Sequence, residues 1–189
     1  MKKKLIIMIT ALALVFSIAV VGTIAYLIDK TQTVENTFTV GDVDITLKET
    51  GTSSENNIDK KSYKMIPGDT LSKDPKVTVL ADSEACWLFI KVEKTNNPDT
   101  YLEYTIANGW IALDATNHPG VYYREVADTN ANQEFEILTG NQVVVRPSVT
   151  KDMMNALEES GNYPKLTFTA YAIQKANVAT AAAAWDEIN

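Results

Sequence analysis

Apolar and polar residues alternate with a period of two through most of this chain, and that pattern leaves few folds open. In 34–40 (VENTFTV), Val34, Phe38 and Val40 share one face while Glu35, Thr37 and Thr39 occupy the other. In 43–48, Val43, Ile45 and Leu47 alternate with Asp44, Thr46 and Lys48. The pattern returns in 76–80, 86–94, 101–106, 121–127, 142–146 and 165–175. Such stretches, rich in β-branched and aromatic residues, predict half-buried antiparallel strands. The segment 86–94 (CWLFIKVEK) opens apolar on both faces, which predicts a central strand.

Turn chemistry separates these stretches. Pro67-Gly68 suits a type II turn, with proline setting φ and glycine taking φ > 0. Asn108-Gly109 and His118-Pro119-Gly120 punctuate the middle, and 49–63 reads as a polar surface loop without periodicity. Two helices are predicted. One covers 151–159, capped by Thr150 and stopped near Gly161. The other is the Ala-rich stretch from Val178, where Trp185 and Ile188 sit at helical spacing. About eight short strands with one or two short helices predict an all-β, antiparallel, jelly-roll-like β-sandwich. No internal repeat interrupts it.

The N-terminus has a different character. Lys2, Lys3 and Lys4 precede an uncharged run from Leu5 to Ile28. That length would span a bilayer. However, Gly22 and the small-x-small pattern Thr23-x-Ala25 fit a signal peptide cut between Ala25 and Tyr26. Residues 1–25 are therefore read as a leader and 26–189 as one β-sandwich domain with an assembly strand at about 31–40. Removing the leader takes away three lysines and no acid, moving the net charge from −7 to −10. So acidic a chain is a poor partner for nucleic acid, which demands basic surface. The single cysteine, Cys86, has no internal disulfide partner, so the core must hold without staples.

The leader ending in GTIAYLID, then TFTVGDVDITLKE, MIPGDTLSKDPKVTV and ACWLFIKVE, together resemble the TasA/camelysin family of exported proteins from Gram-positive bacteria. The residues that carry the likeness are Gly41, Asp42, Val43, Asp44 and Ile45, followed by Pro67, Gly68, Asp69, Lys73 and Asp74. The resemblance implies export through a SipW-type signal peptidase and a jelly-roll subunit of extracellular biofilm fibres. Its camelysin branch implies a metallopeptidase. Those are different classes of function, and a monomeric surface-binding module using 49–63 and 128–134 is a third.

The chemistry of the residues separates these readings. A zinc peptidase needs several histidines, usually His-Glu-x-x-His, and this chain has one, His118, before Pro119-Gly120. Cys86 shares a face with Leu88, Ile90 and Val92, as a buried small hydrophobe does. No Gly-x-Ser-x-Gly elbow is present. Asp128, Asn130, Asn132 and Glu134 place oxygen ligands as in the start of a calcium loop, but Gln133 and Thr139 stand where glycine and glutamate belong. The stretch is therefore read as a polar hairpin loop and no cofactor is expected, with this loop the one candidate metal site and calcium its one candidate ion.

An extended, alternating segment at the start of the mature chain can complete its own sheet or a neighbour's. In the second case Val34, Phe38 and Val40 fill pockets of the next subunit, and head-to-tail exchange that does not close makes filaments. The expectation is a secreted matrix protein of the cell surface, not an enzyme. It would self-associate, with other matrix proteins and the signal peptidase as further partners.

Overall fold

A computed structural model describes residues 42–51, 53–55 and 58–188. Its strands are β1 (Ile45–Lys48), β2 (Ser53–Glu55), β3 (Ile58–Lys60), β4 (Thr70–Ser72), β5 (Lys76–Val79) and β6 (Cys86–Thr95). Further along come β7 (Leu102–Glu103), β8 (Ile111–Asp114), β9 (His118–Val126), β10 (Gln133–Glu136), β11 (Gln142–Val145) and β12 (Lys165–Gln174). The helices are α1 (Pro98–Tyr101), α2 (Lys151–Ser160) and α3 (Ala181–Ile188). All the strand pairs are antiparallel.

The strands form a main sheet ordered β12-β6-β9-β8, two smaller sheets ordered β1-β5-β10 and β4-β11-β7, and the hairpin β2-β3. One face of the main sheet carries Cys86, Leu88, Ile90 and Val92 into a core shared with Val77 and Val79 of β5 and with Val143 and Val145 of β11. The two smaller sheets thus cover that face together, which makes a sandwich-like all-β fold. The opposite face carries Trp87, Phe89 and Val121, and α3 lies on it through Ala181, Ala184 and Trp185. Strand β6 is therefore apolar on both faces because it is covered by sheet on one side and by helix on the other. Phe89 and Leu88 are both fully buried.

Local signals act as the sequence predicts at several points. Gly68 has φ 88°, and Asp69 N–H donates to the Ile66 carbonyl at 2.9 Å, closing the turn around Pro67-Gly68. Helix α2 is capped by Thr150, whose hydroxyl accepts from Met153 N–H at 3.3 Å. It ends where Gly161 N–H donates to the Leu157 carbonyl at 2.9 Å. Helix α3 starts at Ala181, three residues later than the Ala-rich run, after Thr180 has accepted from Ala183 N–H.

Other expectations change. Residues 49–63 contain the hairpin β2-β3, which small polar residues hide from a hydrophobic pattern. The strand expected over 101–106 is cut to β7, because Pro98 begins the turn of α1 and only Ile106 bridges onward to Leu138. His118-Pro119-Gly120 lies inside β9. The turn falls earlier, where the Asp114 carboxylate accepts from Thr116 and Asn117 N–H at 2.8 and 3.2 Å. Those bonds lower the pKa of its acid, with the Thr116 contribution the largest. Pro119 lacks a donor and sits where the β8–β9 register slips between Ala112 and Asp114. Gly120 has φ 78°, and a Cβ there would come within 2.5 Å of the Val92 carbonyl oxygen, so no side chain fits. Strands β4, β8 and β10 carry little alternation and are visible only in three dimensions. Among the described residues no helix is long and apolar enough to cross a membrane.

Candidate functional site

The motif residues after the Pro-Gly turn serve the scaffold. Gly68 N–H donates to the Val145 carbonyl at 2.9 Å, and Val145 N–H returns a bond to Asp69 at 2.8 Å, so the turn is stitched to β11. The Lys73 ammonium meets Glu49 Oε2 at 2.8 Å and lies over the rings of Phe168 and Tyr63 at 5.3 and 5.5 Å. The Tyr63 hydroxyl donates to the other Glu49 oxygen. Burial first, and this bond second, raise the phenol's pKa and keep it protonated. Asp74 Oδ1 accepts from Thr50 N–H at 3.2 Å, and bonding from Thr50 lowers its pKa. The Lys73-Asp74 pair therefore ties the strand entering the core to the segment after β1. Since the side chains of Lys73 and Glu49 are only 13% and 11% exposed, Lys73→Ala is expected to destabilise the protein by about 2 kcal/mol. That is below the roughly 3–5 kcal/mol of an orphaned buried charge, because Glu49 keeps Tyr63. Denaturant midpoints for Lys73→Ala and wild type check this, and an unchanged midpoint would rule out the clamp.

The single histidine, His118, begins β9 opposite Asp114 of β8. Among the described residues no group of three or more His, Cys, Asp or Glu side chains converges as a metal would require. In the candidate calcium loop, Asn132 Oδ1 accepts from Ala81 N–H at 2.8 Å, and Glu134 pairs with Lys76 at 3.0 Å. Asp128 and Asn130 are exposed. Two of the four oxygen donors are thus engaged in holding the loop to the turn after β5 and to β5 itself. Cys86 is fully buried in the core, and burial pushes its thiol up to about 11, which leaves it protonated and unreactive at neutral pH. The assembly residues Val34, Phe38 and Val40, and the cleavage pair Ala25 and Tyr26, lie outside the described residues.

Two features emerge that no motif marks. The first is an edge. Strand β12 pairs with β6 along all of its 10 residues without a register shift, and among the described residues no strand pairs with its other side. It holds no proline and no bulge, the usual means by which an edge is blunted. Strand β1 packs beside it without joining its sheet.

The second is a polar cleft of about 380 Å³ at the rim of the sandwich, lined among others by Lys94, Asp99, Glu103, Tyr104, Tyr122 and Arg146. Lys94 pairs with Asp99 at 2.8 Å and lies 5.6 Å from the Tyr104 ring centre. Arg146 Nε donates to the Asp99 and Leu102 carbonyls at 2.9 and 3.2 Å, and its Nη1 meets Glu103 at 3.5 Å. Of the cleft residues only Tyr122 carries a sequence signal. Tyr122 and Arg124 stand on the inward register of β9, where Val126 is buried, so the core-facing row turns polar there. Arg124 is accommodated against the rings of Phe135 and Trp110, at 4.2 and 4.9 Å.

The fold and these features define the class: a sandwich-like all-β protein with a single histidine and, among the described residues, a strand-length edge that no other strand pairs with. Over residues 1–82 the chain matches the family described as camelysin metallo-endopeptidase, so the TasA/camelysin resemblance holds from the N-terminus through β5 and the Lys73-Asp74 pair. No curated protein and no solved structure matches the chain. The family's description implies a catalytic metal. Among the described residues none fits one, because His118 faces Asp114 across a two-strand ladder, no ligand group converges on it, and the sequence has no second histidine.

Proposed function

We propose that this chain is an exported structural subunit of an extracellular matrix, assembling into fibres by lending its N-terminal segment as a strand to a neighbouring copy. The observation that carries this reading is the outer edge of β12, which among the described residues pairs with no strand along its 10 residues and holds no proline or bulge. The donor is the alternating segment 31–40, with Val34, Phe38 and Val40 on its apolar face. Main-chain hydrogen bonds supply affinity in such an exchange, and the alternate side chains supply specificity. In this reading residues 1–25 are removed after Ala25, the mature chain starts at Tyr26, and the protein resides outside a Gram-positive cell. Other matrix proteins are further partners, and calcium at Asp128, Asn130, Asn132 and Glu134 is a modulator to be tested rather than a requirement.

The test uses purified chain beginning at Tyr26, examined by negative-stain electron microscopy and sedimentation with and without calcium. Filaments are the expected result, together with no chelator-sensitive cleavage of casein. A protein that stays monomeric in every condition overturns the fibre reading. Casein cleavage that is lost with chelator and restored by zinc, in wild type and in His118→Ala alike, establishes a peptidase built on ligands other than histidine.

A further inference from the structure

We infer that the cleft beside β7 is a binding site for a neutral saccharide, independent of strand exchange. Its charges cancel in pairs: Lys94 with Asp99 at 2.8 Å, and Arg146 with Glu103 at 3.5 Å. A cleft so balanced offers no net field to a phosphate or a metal ion, each of which needs uncompensated charge of the opposite sign. It does offer many hydrogen-bonding positions. Each carboxylate has about four acceptor sites, and the ammonium and guanidinium have about three and five donors, more than their mutual contacts use. Ligands that match a dense, neutral mixture of donors and acceptors are polyhydroxylated ones.

The aromatic residues point the same way. Tyr104 and Tyr122 add ring surface, on which the C–H groups of a pyranose pack, together with hydroxyls that both donate and accept. Burial raises the pKa of Tyr104, so its phenol remains a donor at any physiological pH. At about 380 Å³ the cleft falls within the roughly 300–1,000 Å³ of small-molecule sites, though it is more polar than most. Its frame is held by backbone contacts rather than by side chains alone. Arg146 N–H donates to the Tyr101 carbonyl at 2.8 Å, and the Arg146 side chain donates to the Asp99 and Leu102 carbonyls. The wall from α1 to β7 is therefore fixed against β11 before any ligand arrives, which lowers the ordering cost of binding.

The test is isothermal titration of the purified protein with cellohexaose and chitohexaose, with a galacturonate hexamer as the anionic comparison. At least one neutral hexamer is expected to bind, and Tyr104→Ala is expected to weaken it by about tenfold or more. The exposed Tyr163, which lies outside the cleft, serves as the control, and Tyr163→Ala should leave binding unchanged. Circular dichroism establishes that each variant is folded. Should Tyr104→Ala fail to fold, Glu103→Gln at the exposed rim takes its place, with the same weakening expected. No heat from either neutral hexamer at millimolar concentration overturns the proposal. So does tighter binding of the anionic hexamer than of both neutral ones, or binding untouched by the cleft variants.

Discussion

Phe38→Asp is expected to abolish filaments while leaving a folded monomer. Phe38 shares the apolar face of the donor segment with Val34 and Val40, and the opposite face is Glu35, Thr37 and Thr39. Docked on the edge of β12, that apolar face meets the row of half-buried side chains that includes Leu166 and Phe168, already packed on the core. A carboxylate placed there loses its hydration without gaining a partner, at a cost of several kcal/mol, on the order of the whole affinity of one strand exchange. Because head-to-tail growth multiplies one weakened contact along the filament, the loss is close to all-or-none. The comparison is filament count and sedimentation against circular dichroism, for wild type, Phe38→Asp and a chain lacking residues 26–40. Undiminished filaments in Phe38→Asp would sink strand donation. Loss of folding along with filaments would place the segment in the core of its own subunit.

Trp185→Ala is expected to cause the largest loss of stability of any single truncation in the C-terminal part. Trp185 is 4% exposed, and its ring lies 5.2 Å from Phe89 and 5.3 Å, edge-on, from Tyr171. It is the large anchor of α3, since Ala181 and Ala184 contribute little area. Truncating a buried tryptophan costs about 3–5 kcal/mol. At roughly 2–4 °C per kcal/mol for a chain of this size, the midpoint of thermal unfolding should fall by about 10 °C. Undocking α3 would also uncover Trp87, Phe89, Tyr123 and Ile173 on the outer face of the main sheet, so binding of a hydrophobic dye should rise before the main transition. Trp185→Phe keeps an aromatic anchor and should lose about half as much. A midpoint within 2 °C of wild type (about 1 kcal/mol or less) would show that the helix contributes nothing to the fold.

These two experiments address opposite edges of what the sequence reveals. The proposed donor segment lies outside the described residues and rests on period-two alternation, which needs no partner to be recognised. The packing of α3 was only half legible: Trp185 and Ile188 at helical spacing announce an apolar stripe, but not the surface beneath it. That surface was encoded in 86–90, whose two apolar faces required two covers. The sandwich supplies one and the helix the other. The Pro67-Gly68 turn and the Thr150 cap were readable because each depends on two or three neighbouring residues. The cleft was not, since Lys94, Tyr104, Tyr122 and Arg146 come from different segments and share no spacing.

By itself, then, the sequence determined the strand-rich class, the faces of the long strands, the caps and the main turn, and the lack of a histidine set for zinc. These are local properties, set by φ preferences, by side-chain alternation and by residue count. Only the tertiary structure decided which strands pair, that β12 is the outermost described strand beside β6, that Lys73 closes on Glu49, and that the balanced charges of the cleft meet at one rim. Strand pairing and charge pairing join residues far apart in the chain: β12 meets β6 in register from Lys165 opposite Thr95 to Gln174 opposite Cys86. Alternation marks a buried face but carries no information about which distant face will cover it, and that choice is made by the packing of the whole core.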